Sequence, residues 1–460
     1  MTNFGIGATP GAHAETIRDI AARIERLPLS SWHVKARVLI GTATFFDAFD
    51  ALTIAQVTPV LKSLWHLNGP EIGLLISTGY LGQLVGALLI GYCAERWGRL
   101  PALVGAITIM AVMSLMCGFA WNYQSLLVFR TIQGLGLGGQ VPIAAVYISE
   151  IAKADKRGRF VILYECIFTF GLLLSGLIGS FVVPRFGWHV MFFIGALPII
   201  VAMLIPAMLP ESPRWLASRG KLESARSAMR RIESEIEQST GTALPTPTDN
   251  VPADVKRPSW RDVLGGIYLR RSLVVWVIWF ATFLITYGLG TWLPTLYRTV
   301  FHLPLGTALR YGTIGSLMQL CGGLTSGFVI DRIGRRNLFM IGFFGSGFAL
   351  LVLWTIGMGS VLQFVICSAV AYYFAGLCVL GVYLYTPEIY PTRARAFGTS
   401  LGTACLRLAA VVGPIIVGFF VASGIDTVFL VFGSGALIAG VVVLLFAVET
   451  SNRPLEEISV

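Results

Sequence analysis

The chain has 460 residues, 55% of them hydrophobic and only 13% charged, with a formal net charge of +10. A soluble protein of this length carries about twice that charged fraction, so the composition excludes a water-soluble enzyme and points to a polytopic membrane protein. Its seven cysteines are scattered without a CxxC pair, which argues against a disulfide framework or a metal site; no cofactor is expected.

Residues 1–37 carry charges at both ends of a weak helical pattern and lack a compact apolar region followed by small residues. They read as a cytoplasmic N-terminal segment rather than a cleavable signal. A bilayer needs about 20 apolar residues per helical span, and twelve runs qualify. The first six cover 38–60, 71–93, 101–120, 125–148, 160–183 and 188–209. The second six cover 273–297, 310–331, 337–357, 361–385, 397–421 and 427–448. The division that follows is 38–209 for an N-terminal six-helix bundle, 210–271 for a cytoplasmic linker, 272–448 for a C-terminal bundle and 449–460 for a cytoplasmic tail. Within the linker, LESARSAMRRIESEIE reads as amphipathic helix and TGTALPTPTDNVPADV as flexible chain.

Basic residues set the orientation. Of the 34 Lys and Arg, 28 fall in the N-terminus, the even-numbered connections and the C-terminus; only Lys62, Arg185, Arg298 and Arg310 lie in the opposite loops. The positive-inside rule then predicts both termini in the cytoplasm. The net charge is thus a topology signal, and no basic face interleaved with aromatics suggests a nucleic-acid partner.

The two halves repeat. GYCAERWGR (Gly91–Arg99) returns as GFVIDRIGR (Gly327–Arg335), an offset of 236, while Glu150 and Arg157 return as Glu388 and Arg395, an offset of 238. Glu211 and Glu449 are also 238 apart. Six helices duplicated into twelve place a site between the halves near the midplane.

Five ionisable residues lie well inside spans: Asp47, Asp50, Arg130, Glu165 and Arg407. Each costs about 2.5–3.5 kcal/mol at a helix centre, so each must face the interior and find partners. Asp47 and Asp50, in TFFDAFDALT, are three apart and share a helix face. Two such carboxylates do not both ionise easily, which suits either proton coupling or a structural network. Arg407, in GTACLRLAAVVGP, sits too deep to reach the interface. Its permanent charge and planar fork suit a carboxylate, supplied by a substrate or by another helix. Flat aromatic walls suit a benzene or pyridine ring, and Phe46, Tyr164, Tyr287, Trp292 and Tyr372 are candidates, with Gln319 and Gln83 as polar neighbours. Tyr287 and Trp292 flank the Gly-rich break YGLGTWLP.

The doubled G-x-x-x-D/E-R-x-G-R loop resembles the signature of the major facilitator superfamily. PESPRWL and the ending ETSNRPLEEI resemble its branch of sugar porters, organic ion transporters and synaptic vesicle proteins. The segment Arg23–Thr53 resembles the bacterial niacin transporters, and D-x-F-D in the first span is shared with aromatic-acid:proton symporters. This resemblance implies an all-α membrane protein with twelve helices in two pseudo-symmetric bundles, and proton-coupled import of a small aromatic acid, nicotinate first and hydroxybenzoates as the alternative. It implies Arg130, in LLVFRTIQGLGLGG, as partner of the first-span acid. Glu165 stands where sugar porters keep a Gln, and Tyr383 where they keep an aromatic wall. By the same resemblance, Glu95, Arg99, Glu150, Arg157, Asp331, Arg335, Glu388 and Arg395 form a cytoplasmic charge relay that locks neighbouring helices. The bilayer, protons and a small molecule are the expected partners of a monomer in the bacterial inner membrane. Some vesicle relatives suggest a different class, a receptor or scaffold that does not transport. No nucleotide-binding motif or nucleophile pattern supports an enzyme.

Overall fold

A computed structural model of the chain describes residues 19–28, 30–151, 157–246, 261–357, 359–391, 394–421 and 424–451; the side chains of 157–166, 169, 261, 262 and 396 are outside that description. Twelve long helices follow in order: α1 Ser31–Leu64, α2 Gly69–Trp97, α3 Arg99–Gly118, α4 Tyr123–Ile151, α5 Arg157–Phe186 and α6 His189–Met208, then α7 Ile267–Thr299, α8 Leu305–Ile333, α9 Arg335–Ile356, α10 Val361–Ile389, α11 Arg395–Phe420 and α12 Ile425–Phe446. Among the described residues, ten are long and apolar enough to cross a membrane. The other two are α4, which carries Arg130, Gln133, Gln140 and Glu150, and α5, whose apolar part within the described residues is Phe170–Phe186. Their outer faces suit lipid: Phe328 is 80% exposed and Leu88 75%, a cost in water that disappears in hydrocarbon.

Packing repeats as the sequence does. In the first half α2 and α3 pack on α4, α3 on α6, and α1 on α5; in the second, α8 and α9 pack on α10, α9 on α12, and α7 on α11. Each pair maps onto its counterpart by adding six. Across the halves α2 packs on α11, α5 on α8, and α1 on α7, the contacts a pseudo-two-fold axis requires.

The repeated loops turn the same way. Gly98 ends α2 at φ +122° and Gly334 ends α8 at φ +87°, values that suit glycine. Behind each glycine an acid caps the next helix. The Glu211 carboxylate accepts the Leu100 N–H at 3.2 Å, and the Glu449 carboxylate accepts Arg335 N–H at 2.9 Å and Arg336 N–H at 3.0 Å. An acid at a helix N-terminus satisfies orphan donors and opposes the dipole. The third repeat offset therefore has a structural cause.

Two elements differ from expectation. α1 starts at Ser31 rather than at 38, because hydropathy marks only the embedded part; Trp32 and Ala36 continue the helix and bury against the linker. α7 passes into a π-helix at Leu284–Leu289 that contains Gly288 and is capped by Gly290, a local unwinding that often accompanies functional sites. The linker helix Leu222–Thr240 is amphipathic as expected. It buries Ala225, Met229, Ile232 and Ile236 against Ile20, Ile24 and Tyr147 of the first half.

Candidate functional site

One face of α2 forms a seam with the second half. A Cβ added at Gly69 would lie 2.4 Å from the Gly418 carbonyl oxygen, and one at Gly73 2.7 Å from that of Pro414. Ser77 Oγ donates to the Val411 carbonyl at 2.7 Å, and the Tyr80 ring meets Tyr287 at 5.2 Å. The seam ends at Gln83, whose amide oxygen accepts from Arg407 at 2.9 Å; Arg407 also donates to the Gly138 carbonyl of α4 at 3.1 Å. Spacings of four, four, three and three place these α2 residues on one stripe. Small residues at the far end allow the backbones to touch. The seam therefore closes the end away from the charged loops.

Arg407 thus points across the interface from α11 into the first half. Among the described residues it makes no ion pair. Asp47, Tyr287 and Tyr383 are the titratable groups in its neighbourhood. Tyr383 packs edge-on against Trp279 at 4.8 Å, and Tyr287 stacks on Phe283 at 5.9 Å. Tyr287 also lines a cavity of about 90 Å³ between the halves. Phe168, Phe170 and Leu172 of α5 close one side, and Phe283, Thr286, Gln319 and Leu320 the other. Gln319 donates to Thr286 Oγ1 at 2.9 Å, leaving a mostly apolar chamber with a polar corner, the usual composition of a small-molecule site.

The other buried cation is organised differently. Arg130 donates to Asp50 at 2.7 Å and to the Gln133 amide oxygen at 3.0 Å, and Gln133 donates to the second Asp50 oxygen at 2.8 Å. Asp50 and Asp47 share the expected face of α1. Their surroundings separate them: Asp50 is held by Arg130 and Gln133, while Asp47 lies in the neighbourhood of Arg407.

Several expectations need correction. Trp292 does not line the cavity; it is 1% exposed and gives its indole N–H to the Pro414 carbonyl at 3.1 Å, tying α7 to α11. Phe46 sits in an aromatic cluster with Phe45 and Phe49 on α1. The side chains of Tyr164, Glu165 and Arg157 lie outside the described residues. At the charged rim Arg99 pairs with Glu95 at 2.7 Å and Glu150 at 3.3 Å, and Arg335 with Asp331 at 2.8 Å and Glu388 at 3.1 Å. Each of these pairs stays within one half. Glu388 is taken by Arg335, and Arg395 donates instead to the Tyr390 carbonyl at 3.2 Å, so the expected Glu388–Arg395 pairing is not formed. At the same rim burial raises the Glu211 carboxyl above its ordinary value, although the Ser212 and Leu100 N–H groups pull the other way. Tyr80, Thr286 and the Gly138 carbonyl were not singled out from sequence. Only Tyr80 carried a signal, one turn from Gln83 on the same α2 stripe.

Comparison with known proteins agrees with this architecture. The family model described as "Sugar (and other) transporter" matches residues 44–460. The niacin transporter NiaP of Acinetobacter baylyi is 33% identical over 444 residues, covering 96% of this chain and 99% of that protein. The 4-hydroxybenzoate transporter PcaK of the same organism is 29% identical, covering 86% of each, and a synaptic vesicle 2-related protein of Xenopus laevis is 27% identical over 95% of this chain and 82% of its own. The xylose transporter XylE from E. coli superposes with a TM-score of 0.70 at 21% identity, covering 92% of this chain and all of that one. The chain therefore belongs to the sugar (and other) transporter family of the major facilitator superfamily and has its twelve-helix fold.

Proposed function

We propose that this transporter imports a small aromatic monocarboxylate, nicotinate in the first place, together with a proton, by alternating access. The observation that carries the reading is Arg407, turned inward from α11 onto the neutral oxygens of Gln83 and Gly138, beside Tyr287 and Tyr383. A guanidinium fork offers a carboxylate two parallel hydrogen bonds, and the neighbouring rings and Gln319 would hold an aromatic ring. The niacin transporter relative at 33% identity supports nicotinate. The 4-hydroxybenzoate relative at 29% supports the second reading, a hydroxybenzoate symporter. A non-transporting receptor is the remaining reading, and uphill accumulation would exclude it.

In this reading Asp50, Arg130 and Gln133 form the coupling centre of the first half. Asp47 carries the proton that balances the anion, because it lies in the neighbourhood of Arg407 while Asp50 is held by Arg130 and Gln133. Both termini and the charged rim face the cytoplasm of the bacterial inner membrane. The seam then closes the outer end and the molecule stands open inward. The rim clusters around Arg99 and Arg335 keep each bundle rigid while the halves rock. The bundles 38–209 and 272–448 are the rocking units, joined by the linker 210–271.

Radiolabelled nicotinate uptake into proteoliposomes tests this. Accumulation driven by an inward proton gradient and abolished by a protonophore is expected, with Asp47→Asn retaining exchange while losing accumulation. Uptake indifferent to the proton gradient refutes the coupling. Preference for 4-hydroxybenzoate over nicotinate selects the second reading.

A further inference from the structure

The seam between α2 and α11 is apolar or backbone-mediated from Gly69 to Tyr80 and ends in a single charged contact at Gln83. Towards the charged rim, among the described residues, no α2 side chain beyond Gln83 hydrogen-bonds to the second half. Instead Leu88, Leu89 and Tyr92 are exposed. Gly138 explains the cradle. A Cβ there would meet the Gln83 carbonyl oxygen at 2.1 Å, so only glycine lets α4 and α2 touch closely enough for the Gln83 side chain and the Gly138 carbonyl to reach one guanidinium.

We infer that Gln83 is a placeholder for the substrate carboxylate and sets the preference for anions. Its amide oxygen takes one arm of the Arg407 fork and the Gly138 carbonyl the other, and an arriving carboxylate displaces the amide. The inference rests on Arg407 as the anion site proposed above. A buried guanidinium needs an acceptor, which a leucine at 83 would not provide. A glutamate would provide too much, because it would close a buried ion pair with Arg407 that is costly to break and would compete with a substrate carboxylate on equal terms. A neutral amide lies between, satisfying the cation while remaining displaceable. A ligand carrying an amide in place of the carboxylate offers Arg407 no better acceptor than the one it already has, so it gains nothing by exchange. The same exchange removes one of the polar ties between the halves, leaving those of Ser77 to Val411 and of Arg407 to Gly138, so anion binding loosens the seam.

Full-length protein in lipid nanodiscs, titrated with nicotinate and with its uncharged counterpart nicotinamide, tests the inference. Wild type should prefer the acid at least tenfold. Gln83→Glu should weaken acid binding at least tenfold, as Arg407→Ala does. Gln83→Leu should bind the acid several-fold more tightly, and its preference for acid over amide should shrink. If Gln83→Leu does not survive extraction, Gln83→Asn, which withdraws the same acceptor by one methylene, carries the same expectation. Wild-type nicotinate binding that is lost in Arg407→Ala and unchanged in Gln83→Glu would overturn the placeholder and leave the anion site standing. Equal weakening in both Gln83 variants with a lowered melting midpoint would reduce Gln83 to a structural residue and overturn it too. No binding of either probe by wild type, with 4-hydroxybenzoate also inert, would overturn the site and the inference together.

Discussion

Arg130 and Arg407 are both buried cations at membrane depth, and the contrast between them separates rigid parts from moving ones. Arg130 finds its carboxylate and amide partners inside its own bundle, from α1 and α4. Arg407 takes its acceptors from the opposite bundle, and both are neutral. An ion pair closed within one bundle travels with it, and breaking it strands a charge in low dielectric. A cation whose partners belong to the other bundle must exchange them whenever the bundles move. Neutral partners keep that exchange cheaper, since no carboxylate is stranded in the opposite bundle. The first arrangement is architecture and the second is a contact suited to being broken.

The largest effect should come from breaking the closed pair. Arg130→Met leaves Asp50 buried without its cation, a loss of about 3–5 kcal/mol of stability. It should appear as a sharply lowered melting midpoint and poor yield in detergent. A midpoint equal to that of wild type would erase the contrast. Arg407→Ala should behave the other way: stability close to wild type, and nicotinate affinity reduced by about 2–3 kcal/mol, roughly 30-fold or more. A large fall in melting midpoint would instead make Arg407 a second piece of architecture. Arg407→Lys sharpens the point by keeping charge while losing the planar fork. Uptake about tenfold weaker, near 1.4 kcal/mol, is expected, between wild type and the alanine variant. Lysine performing as well as arginine would mean that charge alone, without bidentate geometry, holds the ligand.

Much of this arrangement was legible in the chain because its signals are local. Apolar runs give the spans, basic residues give the loops, and GYCAERWGR with GFVIDRIGR gives the duplication. The pairing of a first-span acid with Arg130 followed from the motif around it. What remained hidden depends on helices meeting. The Gln83–Gly138 cradle exists because Gly138 lets two backbones touch, which no periodicity shows. Trp292 looked like a cavity wall from its place beside a glycine break, yet its partner Pro414 comes from a helix more than a hundred residues on. Glu388 chose Arg335 over the nearer-in-sequence Arg395 because the turn at Gly334 brings Arg335 beneath it. Residues 247–260 of the linker lie outside the described residues.

A third arginine cluster, at the water boundary, supplies the weakest and most informative control. Glu233 on the linker helix accepts from Arg23 at 3.1 Å and from Arg26 at 2.5 Å, tying the N-terminal segment to the linker helix. Burial alone would push its carboxyl up, but the hydrogen bonds and charges of Arg23 and Arg26 outweigh it and hold the group below its ordinary 4.5. A carboxyl depressed in the folded state contributes stability that is fully present above the unfolded value and is lost as pH falls through the lower folded value. Protease protection of the linker should therefore be constant from neutral pH down to about 5 and decline below 4.5. Glu233→Gln should lower protection at neutral pH by about 1 kcal/mol, since solvent reaches this pair, and should flatten the acid decline. A Glu233→Gln effect as large as that of Arg130→Met would show that membrane burial is not what separates the closed pair from the rest. The strength of the Arg130–Asp50 pair would then have to come from its geometry with Gln133.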